Sequence, residues 1–176
     1  ISTHDTVVIG MGLGNSDETC EAVNGILPLC RKAVIDADAL FAESVPLFKK
    51  NFIITPHAGE MKRLSSDFVP HEQKERREFI QNFAKLNDVT VLLKGAVDII
   101  SDGRQIRGNR TGNAGMTVGG TGDVLAGLTG ALFARCEEPI EAAACGAFIN
   151  GAAGDMAFED FGYGLLATDI IDNIPK

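Results

Sequence analysis

The sequence predicts an α/β layer sandwich built on a mostly parallel sheet. Two observations carry that expectation. Short β-branched runs alternate with helix-length amphipathic stretches through the first 95 residues, the pattern of successive βαβ units. The unusual residues gather just after those apolar runs, where an open α/β sheet places its ligand crevice. With 176 residues, one domain is the expectation, burying roughly two thirds of the surface its unfolded chain would expose.

The elements follow in order. "TVVIG" (6–10) is a short strand ending in glycine, and the stretch 16–30 reads as a helix with Ser16 as its N-cap. "KAVIDADAL" (32–40) runs a second strand into two carboxylates, and "NFIITPHAGEMKRL" (51–64) runs a third, broken by Pro56, into a helix. The stretch 70–88 is a charged amphipathic helix and "VTVLLKG" (89–95) a buried strand. Two short runs around Asp102-Gly103 then predict an antiparallel hairpin. The remainder is helical. Val124, Leu125, Leu128 and Leu132 share one face, and Ile140, Ala143, Ala144, Ala147 and Phe148 repeat the pattern. Gly127, Gly130, Gly146 and Gly151 disfavour isolated helices, so close packing is expected there.

A formal charge of −8 and the lack of a basic stripe argue against nucleic acid as a partner. No apolar run approaches the roughly 18 residues of a membrane span, and no signal peptide opens the chain, so a cytoplasmic protein is expected. Cys20, Cys30, Cys136 and Cys145 have no metal-site spacing and read as buried thiols.

The strand ends hold the candidate chemistry. "GMGLGN" (10–15), with Asp36 downstream, imitates a dinucleotide fingerprint, but Asn15 stands for the third glycine and Asp36 comes late. A glycine turn admitting another ligand, or a purely structural turn, are the alternatives. Asp36 and Asp38 could serve a metal, a base or loop ordering. In "TPHAGE" (55–60), His57 and Glu60 are either site residues or a helix start. Lys94 is either a solvated strand end or a cation aimed at phosphate.

"GGTGDVLAGL" (119–128) has the most specific pattern. Gly119, Gly120 and Gly122 let the backbone approach a ligand closely, and the free N–H groups of the helix start favour anionic oxygen. There is no Walker lysine; Asp123 stands in the cradle instead. A carboxylate beside a phosphate suits one that deprotonates the attacking hydroxyl. Helix capping is the plainer alternative.

"TPHAGE", "LLKGAVD" and "GNAGMTVGGTGDVLAGL" together resemble the ADP-dependent NAD(P)H-hydrate dehydratases of the ribokinase-like superfamily, over about Val7 to Asp155. The resemblance implies a three-layer α/β/α sandwich with a C-terminal helical layer. It implies that Lys94, Gly95, Ala96, Val97, Asp98 and Gly122 surround the adenylate, and that Asn113, Gly115, Met116 and Thr117 form a loop over the nucleotide, with Gly119, Gly120 and Thr121 completing its site. Gly12, His57 and Asp123 would meet the nicotinamide substrate. Met11 stands where the family usually has proline, and Asp98 where threonine is common. Such domains usually begin with a further strand and helix segment, so a chain lacking that segment, completed by a partner segment or a homo-oligomer, is expected.

The implied reaction dehydrates the 6-hydroxy hydrate of NADH or NADPH, with ADP as phosphate donor, ATP as an alternative, and AMP and phosphate released. Asp123 would be the base and Mg2+ the phosphate counter-ion. A vitamin-precursor kinase and a noncatalytic adenylate-binding module are the competing expectations.

Overall fold

The computed structural model describes residues 3–174. Its centre is a six-stranded sheet in simple sequential order, β1 (Thr6–Ile9), β2 (Lys32–Ile35), β3 (Phe52–Ile54), β4 (Thr90–Leu93), β5 (Asp98–Ser101) and β6 (Ile106–Asn109). The first four strands are parallel and the last two antiparallel. The α/β expectation therefore holds, including the hairpin. Asp102 supports the hairpin loop by accepting from the backbone N–H groups of Arg104 and Gln105.

Because every parallel crossover steps the same way, right-handed connections place their helices on one face. That face carries α1 (Asp17–Ile26), α2 (Ala58–Ser65) and α3 (Gln73–Leu86). The Ser16 hydroxyl caps α1 by accepting from the Thr19 N–H. Strand alternation divides the core in two: Ala33, Ile35, Phe52, Ile54, Val91 and Leu93 face these helices, and Val34, Ile53, Leu92 and Ile100 face the opposite layer. That layer holds α4 (Thr121–Arg135) and α5 (Pro139–Phe161), followed by α6 (Ala167–Asn173). Among the described residues no helix is long and apolar enough to cross a membrane.

The helical layer corrects two expectations. In α4 the buried residues are Leu125, Ala126, Thr129, Gly130 and Phe133, while Val124, Leu128 and Leu132 only flank that face. In α5, Phe148 is 58% exposed. The reason is proximity: a Cβ at Gly130 would lie 2.2 Å from Val8 Cγ2, and one at Gly146 would lie 2.4 Å from Thr129 Oγ1. The helices therefore turn their smallest residues toward the sheet and each other. Gly151 is equally tight, against Thr111, whereas Gly127 has open space and serves no packing.

Lys32 closes the far end of α4. Its buried ammonium donates to the carbonyls of Phe133 and Cys136 at 3.1 and 2.9 Å and pairs with Glu137, satisfying orphan acceptors of the helix terminus. The four cysteines are free, but only Cys30 is buried and Cys145 is exposed on α5. The expectation of four buried thiols fails because α5 packs through its small residues and leaves position 145 outward.

Candidate active site

The carboxyl ends of β3 and β4 stay zipped just past the strands, where the Lys94 N–H donates to the Pro56 carbonyl at 2.8 Å. This brings "TPHAGE" and "LLKG" side by side. His57 then caps α2: its Nδ1 accepts from the N–H groups of Gly59 and Glu60, and Glu60 Oε2 accepts from the His57 N–H at 2.7 Å. Nδ1 thus acts as acceptor, leaving the ring proton for Nε2. A Cβ at position 59 would meet the imidazole at 2.9 Å, which is why a glycine follows in this turn. His57 is both a helix cap and a cleft residue.

Lys94 is not a solvated strand end. Its Nζ lies 2.7 Å from Asp36 Oδ1 and 3.7 Å from Glu60 Oε2. Asp36 is 1% exposed, and the same oxygen accepts from the Thr55 hydroxyl at 2.8 Å. Asp38 instead orders the glycine turn, accepting from the Gly14 N–H at 2.9 Å. Gly10 makes that turn possible: φ is +134°, and a Cβ would lie 1.7 Å from the Asp36 carbonyl oxygen.

Above the Asp36–Lys94 pair stands the start of α4. A Cβ at Gly122 would sit 3.5 Å from Lys94 Nζ and 3.9 Å from Asp36 Oδ2. The N-cap is Gly120, with φ +93° and no side-chain cap. Asp123 occupies the third helical position, is exposed, and does not act as the N-cap. The Thr121 hydroxyl donates to the Met116 and Val118 carbonyls at 2.8 and 3.1 Å, tying the preceding loop to the helix start.

That loop is held from the other side by α5. Asn113 donates to Asp155 Oδ1 and the Gly154 carbonyl, and Asp155 Oδ2 accepts from the Gly112 N–H at 3.0 Å. Asn109 joins β6 to the same helix by donating to the Ala147 carbonyl, and its amide also donates to Asp98 Oδ2 at 2.9 Å. Asp98 further accepts from the Gly95 N–H at 3.0 Å, closing the turn between β4 and β5. Burial pushes its carboxyl above the ordinary value, against the opposing influence of Asn109, Gly95 and Lys94.

These elements enclose a cleft of about 640 Å3. Its lining includes the expected His57, Lys94, Gly95, Ala96, Asp98, Asn113, Met116, Thr117, Thr121 and Gly122. It excludes six expected residues. Val97 packs toward Gly108 of β6, Gly115 lies beneath Phe158, and Gly119 and Gly120 form the turn before α4. Gly12 stands on the exposed loop after β1, and Asp123 adjoins the cleft without lining it. The sequence reading named no site role for Thr111, Gly112, Ala114, Leu125, Ala147, Asn150 and Gly151, which also line the cleft; Gly112, Ala114 and Leu125 lie within the 112–128 motif itself, whereas Thr111, Ala147, Asn150 and Gly151 lie outside the quoted motifs. Among the described residues no three His, Cys, Asp or Glu side chains gather into a metal cage.

The NAD(P)H-hydrate dehydratase family model matches residues 1–176. The bifunctional NAD(P)H-hydrate repair enzyme Nnr of Archaeoglobus fulgidus is 43% identical over 176 residues, covering 100% of this chain and 35% of that protein. The ADP-dependent (S)-NAD(P)H-hydrate dehydratase of Cenarchaeum symbiosum is 38% identical over 98% of this chain and 61% of its own length. The chain thus spans about a third of the bifunctional relatives and three fifths of the single-function ones. Among solved structures, the ADP/ATP-dependent NAD(P)H-hydrate dehydratase of Bacillus subtilis, co-crystallised with ATP/Mg2+ and soaked with CoA, superposes with TM-score 0.86 at 28% identity, covering 97% of this chain and 64% of that one. A ribokinase-like superfamily protein from Enterococcus faecalis gives 0.82 at 26% identity, over 99% of this chain and 62% of that one. Matched along its whole length by the family model, and carrying the family's motifs around one cleft, the chain belongs to the NAD(P)H-hydrate dehydratase family.

Proposed function

We propose that the chain carries out ADP-dependent dehydration of the 6-hydroxy hydrate of NADH or NADPH, regenerating the reduced nicotinamide and releasing AMP and phosphate. The observation that carries this reading is the uncapped start of α4 beside the cleft, with Asp123 at its third position and Lys94 beneath Gly122. Free N–H groups there suit the terminal phosphate of ADP. Lys94, Gly95, Ala96, Asp98, Asn113, Met116 and Thr117 line the adenylate side, with Val97, Gly115, Gly119 and Gly120 shaping the turns behind it. His57 faces the cleft, and Gly12 stands at the same sheet edge; both are assigned to the nicotinamide hydrate.

The chemistry follows from a poor leaving group. Asp123 takes the proton of the 6-hydroxyl as its oxygen attacks the β-phosphorus of ADP, and AMP departs. The N–H groups of the helix start stabilise the charge that develops. The C6–O bond of the phosphorylated hydrate then breaks with help from the ring-nitrogen electron pair. Loss of the C5 proton restores the C5–C6 double bond, with phosphate as the leaving group.

Magnesium is tested by the donor set. Asp36 Oδ1 is engaged by Lys94 and Thr55, leaving Oδ2, which faces Gly122. Asp36 is, however, 1% exposed and not part of the cleft wall, so Mg2+ would be held chiefly by the nucleotide's own phosphate oxygens and water. Bound with the nucleotide, it would shield phosphate charge.

The test is to incubate the chain with enzymatically prepared hydrate and ADP while following recovery of the reduced-nicotinamide absorbance. Asp123→Asn is expected to bind ADP normally and lose turnover by roughly a hundredfold or more. Near-normal turnover in that variant would assign the base elsewhere. A stable phosphorylated product with no recovered absorbance would make the chain a kinase instead.

A further inference from the structure

Most polar side chains around the cleft are committed within the fold, as Asn109, Asn113, Asp98 and Asp36 are. Asn150 is not. It stands in the cleft wall on α5, one turn beyond Ala147, is 6% exposed, and its buried Oδ1 finds no hydrogen-bond donor. A buried amide without a partner destabilises the fold that carries it, so an apolar residue here would serve stability better. No hydrogen bond to the described residues holds this amide in place, and the terminal torsion of asparagine is soft. Half a turn about Cβ–Cγ exchanges the buried oxygen with the amide nitrogen, which is not among the buried unpartnered atoms.

The surroundings suit a flat ring. Ala147 and Gly151 flank Asn150, and Gly112 packs against Gly151, so small side chains and backbone form this part of the wall. We propose that Asn150 is a specificity-determining residue that reads the nucleobase, its side-chain oxygen accepting from the exocyclic amine of adenine. Amide and adenine are complementary in donors and acceptors. The inference rests on the nucleotide assignment above and adds the residue that selects the base.

The experiment is isothermal titration of the 176-residue chain with ADP and with purine riboside 5′-diphosphate, which is ADP without its exocyclic amine. The parent is expected to favour ADP by roughly tenfold. Asn150→Ala is expected to bind both ligands equally, and to melt at or above the parent because it loses an unpaired buried group. Asn150→Leu, which fills the volume of the amide, is the companion variant and should behave alike. Equal affinity in the parent, or a preference that survives in both variants, would overturn this inference alone. No ADP binding by the parent would overturn it together with the nucleotide assignment.

Discussion

Asp36→Asn tests the central electrostatic claim about the cleft. Asparagine keeps an oxygen for the Thr55 hydroxyl but removes the charge facing Lys94, whose Nζ lies 2.7 Å away. Asp36 is 1% exposed and the Lys94 side chain 20%, so the ammonium cannot fully recover water. Removing one partner of a buried pair costs about 3–5 kcal/mol. Glu60 remains 3.7 Å from Nζ, which places the expectation near the lower figure, about 3 kcal/mol. For a chain of this size that corresponds to a fall of roughly 6–12 °C in Tm. The assay is thermal unfolding by circular dichroism for Asp36→Asn, Lys94→Met and the double variant. Each single change leaves one charge without its 2.7 Å partner, whereas the double removes both, so its loss should be well below the sum of the two. A Tm within about 2 °C of the parent for Asp36→Asn, or strictly additive losses, would mean that the pair does not hold this edge together.

Three further outcomes are expected. Gly122→Ala should fold normally, since its Cβ would meet Lys94 only at ordinary contact distance, yet weaken ADP binding by obstructing the helix start; calorimetry showing parental affinity would remove Gly122 from the phosphate site. Gly130→Ala should lower the unfolding free energy measured by urea titration by about 1–3 kcal/mol through overpacking, because its Cβ would lie 2.2 Å from Val8 Cγ2, and Val8→Ala should rescue it; failure of the rescue would place the strain elsewhere. Arg107 clamps β6 to α5 through Glu141, donating from Nη1 to Oε2 at 2.7 Å, and holds that carboxyl below its usual value. A depressed carboxylate contributes stability that is present above the unfolded value of about 4.3 and disappears as pH falls through the folded value. The stability gap between the parent and Glu141→Gln should therefore exist at neutral pH and close in acid, and a gap constant with pH would show that the ion pair contributes nothing.

Local signals were legible wherever one residue's neighbours in sequence settle its role. Ser16 before α1, the Asp102-Gly103 hairpin and the alternation of β2 to β4 are of this kind, because caps, turns and strand faces depend on spacings of two to four residues. The bare helix start at 119–123 and the cleft-lining His57, Lys94 and Asn113 were legible for the same reason: each lies in a short motif at a strand or helix end. The buried face of α4 was not. Apolar and small residues surround that helix nearly all round, so several faces satisfy the helical period, and the approach of Gly130 to Val8 and of Gly146 to Thr129 selects one. Spacing likewise left Asp36 between base, metal ligand and loop anchor. Only the packing of β2 beside β3 and β4 sets it against Lys94, 58 residues away in the chain, and the unpartnered amide of Asn150 exists as a feature only once α5 lies against the 111–117 loop. Sequence by itself determined which segments form strands, helices and turns, because those are short-range energies. Which side chains share the low-dielectric edge of the sheet, and which are left without partners there, was decided by tertiary packing, because desolvation and close approach depend on residues distant in the chain.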